Sequence, residues 1–154
     1  MSLNIVLVSP LIPQNTGSTA RLTAATYTNL HLIEPLGFEL SDRYLKRAGL
    51  DYWPEVRLMV HKSWHDFLQS ASCSRERLWL FSTKGEKSYY NANFGPDDYL
   101  VFGNEETGLP QYFHDEYADR RVCIPMDNPN VRSLNLSNAV SIVLYEARRQ
   151  LGQV

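Results

Sequence analysis

Three short segments of this 154-residue chain carry more glycine and polar side chains than turns alone require. The first is Ile12-Pro13-Gln14-Asn15-Thr16-Gly17-Ser18-Thr19-Ala20-Arg21. Pro13 and Gly17 shape a turn, and Asn15 or Thr16 is placed to cap a following helix. One reading is a capped strand-to-helix connection with a solvated Arg21; the other sets backbone amides and Arg21 against a phosphate or ribose. The spacing is neither a dinucleotide fingerprint nor a P-loop. The second segment is Val101-Phe102-Gly103-Asn104-Glu105-Glu106-Thr107-Gly108-Leu109-Pro110. Its two glycines allow a tight turn and let the backbone approach a flat ring. Sequence neighbours seldom flank one reacting bond, so Glu105 and Glu106 do not suit a glycosidase pair. One of them is expected as a structural acceptor for loop amides or an Arg. The third is Cys123-Ile124-Pro125-Met126 and then Arg132-Ser133-Leu134-Asn135-Leu136-Ser137-Asn138-Ala139. Ser133, Asn135, Ser137 and Asn138 crowd the start of a helix. One of them suffices as a cap, and the surplus points to a ligand.

The elements that must position these segments alternate. Apolar, β-rich runs over 3–8, 30–33, 56–60, 78–81, 99–102 and 121–124 read as strands. Helical patterns fall over 17–27, 42–48, 64–71, a short piece after Pro110, and 136–151. In the last, Leu136, Val140, Val143, Leu144 and Ala147 form one stripe. The expected fold class is α/β, one domain over 1–154, with a mostly parallel sheet flanked by helices. Ligands in such sheets sit beyond the carboxyl ends of the strands, where all three segments fall.

Composition narrows the class. Hydrophobic residues make up 44% and charged residues 21%, which suits a packed core. The longest apolar runs are too short to span a bilayer and no targeting segment stands out, so a cytoplasmic protein without membrane partners is expected. Net charge is −2, so any nucleic-acid surface must be a local patch or one built from two subunits. Arg43, Lys46 and Arg47, followed by Tyr52 and Trp53, form one such mixture; Lys84 and Lys87 with Tyr89 and Tyr90 form another. A solvated face with buried aromatics fits each equally well. Cys73 and Cys123 read as free, mostly buried thiols. His61 and His65 stand four apart, but a solvated helix face suits them better than a ligand pair, and no metal is expected.

Further pieces join the three segments along nearly the whole chain. They are Ile33-Glu34-Pro35-Leu36-Gly37-Phe38, Arg47-Ala48-Gly49-Leu50-Asp51-Tyr52 and Thr83-Lys84-Gly85. In this order the set resembles the SPOUT class of S-adenosyl-L-methionine-dependent RNA methyltransferases. Within that class it is most similar to the tRNA wobble-nucleotide ribose 2′-O-methyltransferases of the TrmL or YibK type. Asn104 and Thr107 depart from it, standing where such enzymes commonly have Pro and Arg, and Ser9 and Leu11 replace acidic positions.

The resemblance implies a deep trefoil knot at the carboxyl end, with knot and cofactor region over about 78–151, and a homodimer. General rules of chain threading would not suggest a knot. It implies methyl transfer from S-adenosyl-L-methionine, leaving S-adenosyl-L-homocysteine. The acceptor would be the ribose 2′-hydroxyl of the wobble nucleotide (position 34, cytidine or modified uridine) of tRNA, with leucine tRNAs the expected substrates. Phe81, Gly103 and Ile124 would line the adenine and ribose pocket, and Ser133, Leu134 and Asn135 would close over it. Arg21 would stand at the target ribose near the partner subunit's cofactor, oriented by Asn15, with Asn138 and Tyr145 supporting the site. Arg43, Lys46 and Arg47 would add RNA contacts. A guanidinium stays protonated, with a pKa above ~12, so Arg21 suits a phosphate anchor and electrostatic stabiliser better than a base. Another tRNA or ribosomal RNA position, and a catalytically silent RNA-binding protein, are the alternatives.

Overall fold

The computed structural model describes residues 2–43, 45, 47 and 51–153. The apolar runs become the strands β1 (Asn4–Val8), β2 (Asn29–Ile33), β3 (Arg57–His61), β4 (Leu78–Phe81), β6 (Tyr99–Phe102) and β7 (Arg121–Cys123). A two-residue strand, β5 (Lys87–Ser88), carries no apolar pattern and was not expected. All seven pair in parallel in the order β3-β2-β1-β6-β4-β7-β5. Within β1, Ile5 and Leu7 face one core layer and Val6 and Val8 the other. That burial on both sides is why the central strands read as unbroken apolar runs.

Helices α1 (Pro13–Ala25), α2 (Trp64–Ala71), α3 (Gln111–Glu116) and α4 (Leu136–Gln150) cover the sheet. The apolar stripe of α4, through Val140, Val143, Leu144 and Ala147, joins the core layer that holds Ile5, Leu30, Leu100 and Ala20 of α1. Phe67 of α2 and Phe113 of α3 fill the opposite layer. The helix expected over 42–48 includes Tyr44, Lys46 and Ala48, which lie outside the described residues.

Two expectations are corrected. His61 is not on a solvated face: it ends β3, buried, with its ring stacked 5.2 Å from that of His31, whereas His65 on α2 is exposed. Helix α1 begins at Pro13 rather than Gly17, because proline is pre-set for the first helical position. Asn15 and Thr16 therefore lie inside the helix and do not cap it. Ile12 occupies the cap position and supplies no side-chain cap.

The missing cap comes from far along the chain. Glu105 Oε1 accepts from the Leu11 amide at 2.8 Å and Oε2 from the Ile12 amide at 2.7 Å, and Asn15 Nδ2 also donates to Oε2 at 3.2 Å. A carboxylate beside a helix N-terminus is favoured by the helix dipole as well. The loop that presents Glu105 is tightly folded. Asn104 Oδ1 accepts from the amides of Glu106 (2.9 Å) and Thr107 (2.7 Å), so the two departures from the family pattern serve each other. Gly108 takes a φ of +70°, and a Cβ on Gly103 would lie 2.1 Å from the Gly108 carbonyl carbon. A side chain at Gly103 would force the loop to move, and one at Gly108 would meet open space but strain a left-handed backbone.

Another polar chain crosses β1, β2 and β3. Asn29 Nδ2 donates to Asn4 Oδ1 at 3.0 Å, which leaves that oxygen as the acceptor for His31 Nε2 at 3.3 Å. His31 Nδ1 on a neutral ring then accepts from His61 Nε2 at 3.0 Å. Burial first, and His61 second, push the His31 pKa down to about 4.

Two predictions follow from these networks. In Glu105→Gln one carboxylate oxygen becomes an amide NH2 facing donors, and hydrogen bonds to a charged acceptor contribute about 1.5–3 kcal/mol each. Denaturant unfolding should show a loss of about 2–3 kcal/mol; a change within ~0.5 kcal/mol would leave the clamp without weight. For His31, the unfolded ring titrates near 6.5 and the folded one near 4. Only the unfolded state gains the proton between these values, so stability is full above pH 6.5 and falls toward pH 4, by on the order of 2 kcal/mol at pH 5. Unfolding at pH 7.5 and pH 5 should show a smaller fall in His31→Gln than in the parent, and equal falls would contradict the assignment.

Candidate functional site

The carboxyl ends of β4, β6 and β7 meet the amino ends of α1 and α4 around a cavity of about 540 Å³. Its size suits a small-molecule ligand. Phe81, Gly103, Ile124, Ser133, Leu134 and Asn135, chosen from sequence positions spread over fifty residues, all line it, as does Asn15. Phe81 and Phe102 stack with centroids 4.9 Å apart and 12° between planes, and both belong to the core. The floor is thus apolar and packed into the core, and amide and charged side chains also line the cavity.

The two helix starts are joined through side-chain amides. Asn135 Nδ2 donates to Asn15 Oδ1 at 3.1 Å, and Asn15 in turn donates to Glu105. Asn135 is also the cap of α4, its Oδ1 accepting from the Asn138 amide at 3.1 Å and from Ser137 Oγ at 2.7 Å. One residue of the polar crowd therefore caps, as expected, and the same residue ties α4 to α1. Asn138 enters this network through its backbone, and its side chain is exposed.

Other chosen residues are not gathered at the cavity. Arg21 lies on the exposed stripe of α1 formed by Gln14, Ser18, Arg21 and Ala25. Tyr145 is 52% exposed on α4, with the Arg148 guanidinium 5.3 Å from its ring centre. Arg43 and Arg47 are exposed, and Lys46 lies outside the described residues. Tyr89, placed by sequence in a basic-aromatic patch, is buried, while Tyr90 is exposed.

Sequence reasoning missed His114, on the cavity wall. It sits on the short helix α3 in no motif, and only the fold of the chain after Pro110 brings it there. Its Nδ1 accepts from Arg121 Nη1 at 3.1 Å. Burial, then the charges of Lys84 and Arg121, lower its pKa, while a hydrogen bond to the Leu109 backbone and Asp115 oppose this. Lys84 and Arg132 also line the cavity. Cys73 and Cys123 are free and half-buried rather than mostly buried, and burial pushes the Cys73 thiol up to about 11. Among the described residues no group of three or more His, Cys, Asp or Glu side chains could hold a metal ion. The arrangement is one for binding and orienting a ligand on a rigid floor, with a cation held outside it.

Comparison with known proteins places these features. A tRNA (cytidine(34)-2′-O)-methyltransferase of Saccharophagus degradans is 51% identical over 150 residues, covering 97% of this chain and 96% of that one. The enzyme of the same name from Burkholderia pseudomallei is 46% identical over 150 residues, with 97% and 96% covered. A solved structure described as giving insight into the 2-OH methylation of C/U34 on tRNA superposes with a TM-score of 0.92. It shares 49% identity and covers 99% of this chain and 98% of its own. AviRb from Streptomyces viridochromogenes, in complex with the cofactor AdoMet, shares the fold at a TM-score of 0.85 and 24% identity, covering 99% of this chain and 62% of its own. The model of the SpoU rRNA Methylase family matches residues 2–145, and the chain belongs to that family.

Proposed function

We propose that this protein transfers a methyl group from S-adenosyl-L-methionine to the ribose 2′-hydroxyl of the wobble nucleotide, position 34, of tRNA, with S-adenosyl-L-homocysteine as the other product. The observation that carries this reading is similarity near 50% over almost the whole chain to enzymes named for that reaction. Convergence of Phe81, Gly103, Ile124, Ser133, Leu134 and Asn135 on one cavity supports it.

The cavity fits the cofactor's chemistry. Its apolar floor of Phe81 and Phe102 suits a flat base, and Gly103 and Ile124, which also line it, would offer backbone groups to ring nitrogens and ribose hydroxyls. Ser133, Leu134 and Asn135 close the opposite wall. When bound, S-adenosyl-L-methionine supplies a methyl on a positively charged sulfur. The residues of this chain would hold the 2′-hydroxyl facing that methyl. Such alignment contributes potentially ~7–11 kcal/mol to lowering a barrier. Arg21 anchors a phosphate and stabilises the negative charge developing on the ribose oxygen. The hydroxyl proton leaves late, to solvent. Asn15 fixes the α1 backbone that leads to Arg21, Asn138 and Tyr145 support from α4, and Arg43, Lys46 and Arg47 contribute RNA contacts.

The protein works as a homodimer, in which Arg21 of one subunit serves the cofactor cavity of its partner. Exposure of Arg21 outside its own chain's cavity supports this division. The chain forms one domain, knotted over about 78–151. Insertion of β7 between β4 and β5, followed by return of Asn135 to Asn15, suits a threaded path. Among the described residues no helix is long and apolar enough to cross a membrane, and tRNA as substrate implies the cytoplasm.

Labelled methyl transfer from S-adenosyl-L-methionine to total tRNA, with mapping of nuclease-resistant dinucleotides, tests the proposal. Label is expected at the wobble ribose. Label elsewhere would overturn the assignment of position, and none from a folded dimer would favour a silent RNA-binding protein. Arg21→Lys should slow transfer by about a hundredfold or more while cofactor affinity, measured by calorimetry, stays unchanged. A near-normal rate would contradict the role given to Arg21.

A further inference from the structure

Arg21 is exposed yet not loose. Its guanidinium carbon lies 4.7 Å from the centre of the Tyr52 ring, and Nη2 donates to the Tyr52 hydroxyl at 3.4 Å. Tyr52 is itself well placed to act as a platform. It precedes a 3₁₀ turn, Trp53–Glu55, and its carbonyl accepts from the Glu55 amide at 2.9 Å. Trp53, which opens that turn, and Val56, which follows it, pack against the core layer that includes Ala20 of α1. The backbone that carries the ring is therefore anchored while 39% of the residue remains open to solvent.

From this geometry we infer that Tyr52 positions Arg21 for methyl transfer, an inference that rests on the role given to Arg21 above. The choice of partner is chemically apt. A carboxylate would order the guanidinium but neutralise it and occupy the donors that a phosphate or forming alkoxide needs. An aromatic face orders the cation by stacking and leaves its charge and most of its in-plane N–H groups available. Among the described residues, no carboxylate pairs with Arg21. Arg21 stands six residues beyond Asn15 on α1, about 9 Å along the axis. The Asn15–Glu105 clamp therefore sets its backbone, and Tyr52 sets its side chain. Tyr52 is a positioning residue: it acts on the reaction through Arg21. This differs from a role in which the ring stacks on a base of the RNA, since the face turned to Arg21 is already covered.

The test compares Tyr52→Leu, Tyr52→Gln and Tyr52→Phe with the parent, using the intact protein, S-adenosyl-L-methionine and tRNA. Tyr52→Leu and Tyr52→Gln should each lower kcat by about tenfold. Their KM for tRNA, cofactor affinity and thermal midpoint should stay at the parent's values, and Tyr52→Phe, which keeps the face, should recover most of the rate. Gln is included because the partly exposed position tolerates a polar side chain. A rise in KM at unchanged kcat would assign the ring to the RNA and overturn the inference. So would Tyr52→Phe as slow as Tyr52→Leu, or parental kcat in both non-aromatic variants. If Arg21→Lys is slow while the Tyr52 variants are not, only the positioning role fails. If Arg21→Lys turns over normally, the reading of Arg21 fails first.

Discussion

The Glu105 carboxylate on the amides of Leu11 and Ile12 is the interaction on which the site depends. Helix α1 has no side-chain cap of its own, and among the described residues the loop after β6 is hydrogen-bonded to the segment after β1 through Glu105, whose carboxylate takes the Leu11 and Ile12 amides and the Asn15 side chain. Parallel strands β1 and β6 already place these two carboxyl ends side by side. The carboxylate converts that proximity into a fixed distance. Asn15 passes the constraint to Asn135, and Asn135 passes it to the first turn of α4. Asn15, the loop ninety residues on and the helix start 120 residues on are thereby held as one wall.

That constraint also explains how labour is divided. Rigid elements surround the cavity: stacked core aromatics below, a glycine-pinned loop at one side and a capped helix start at the other. Arg21, the cation proposed to meet RNA, lies outside, two turns along α1, exposed to solvent. A small cofactor gains from a preformed pocket. A large RNA is better met by an exposed charge whose direction is set but whose donors are unused.

Much of this was legible in the sequence because parallel sheets bury both strand faces, so the central strands declare themselves as apolar runs. The stripe on α4 and the surplus of polar residues before it were equally direct, and Glu105 was readable as a structural acceptor. Which amides it holds was not readable, because the bond spans 94 residues. The same distance hid the start of α1: Asn15 and Thr16 look like local caps, and nothing nearby reveals that the cap is supplied by another loop. His61 misled for a related reason, since its helical spacing to His65 crosses a strand-to-helix boundary where that period has no meaning. Strand β5 is two polar-flanked residues that acquire strand geometry only by lying beside β7.

The central claim is that Glu105, Asn15 and Asn135 act as one linked support for the cofactor cavity. Calorimetric affinity for S-adenosyl-L-methionine in Glu105→Gln, Asn135→Ser and the double variant tests it most directly. Serine keeps a capping oxygen for α4 but is too short to reach Asn15. Glu105 and Asn135 meet only through Asn15, so a linked support predicts that each single variant weakens binding and that the double is weaker than the worse single by no more than about threefold. Two losses that multiply in the double variant would contradict it.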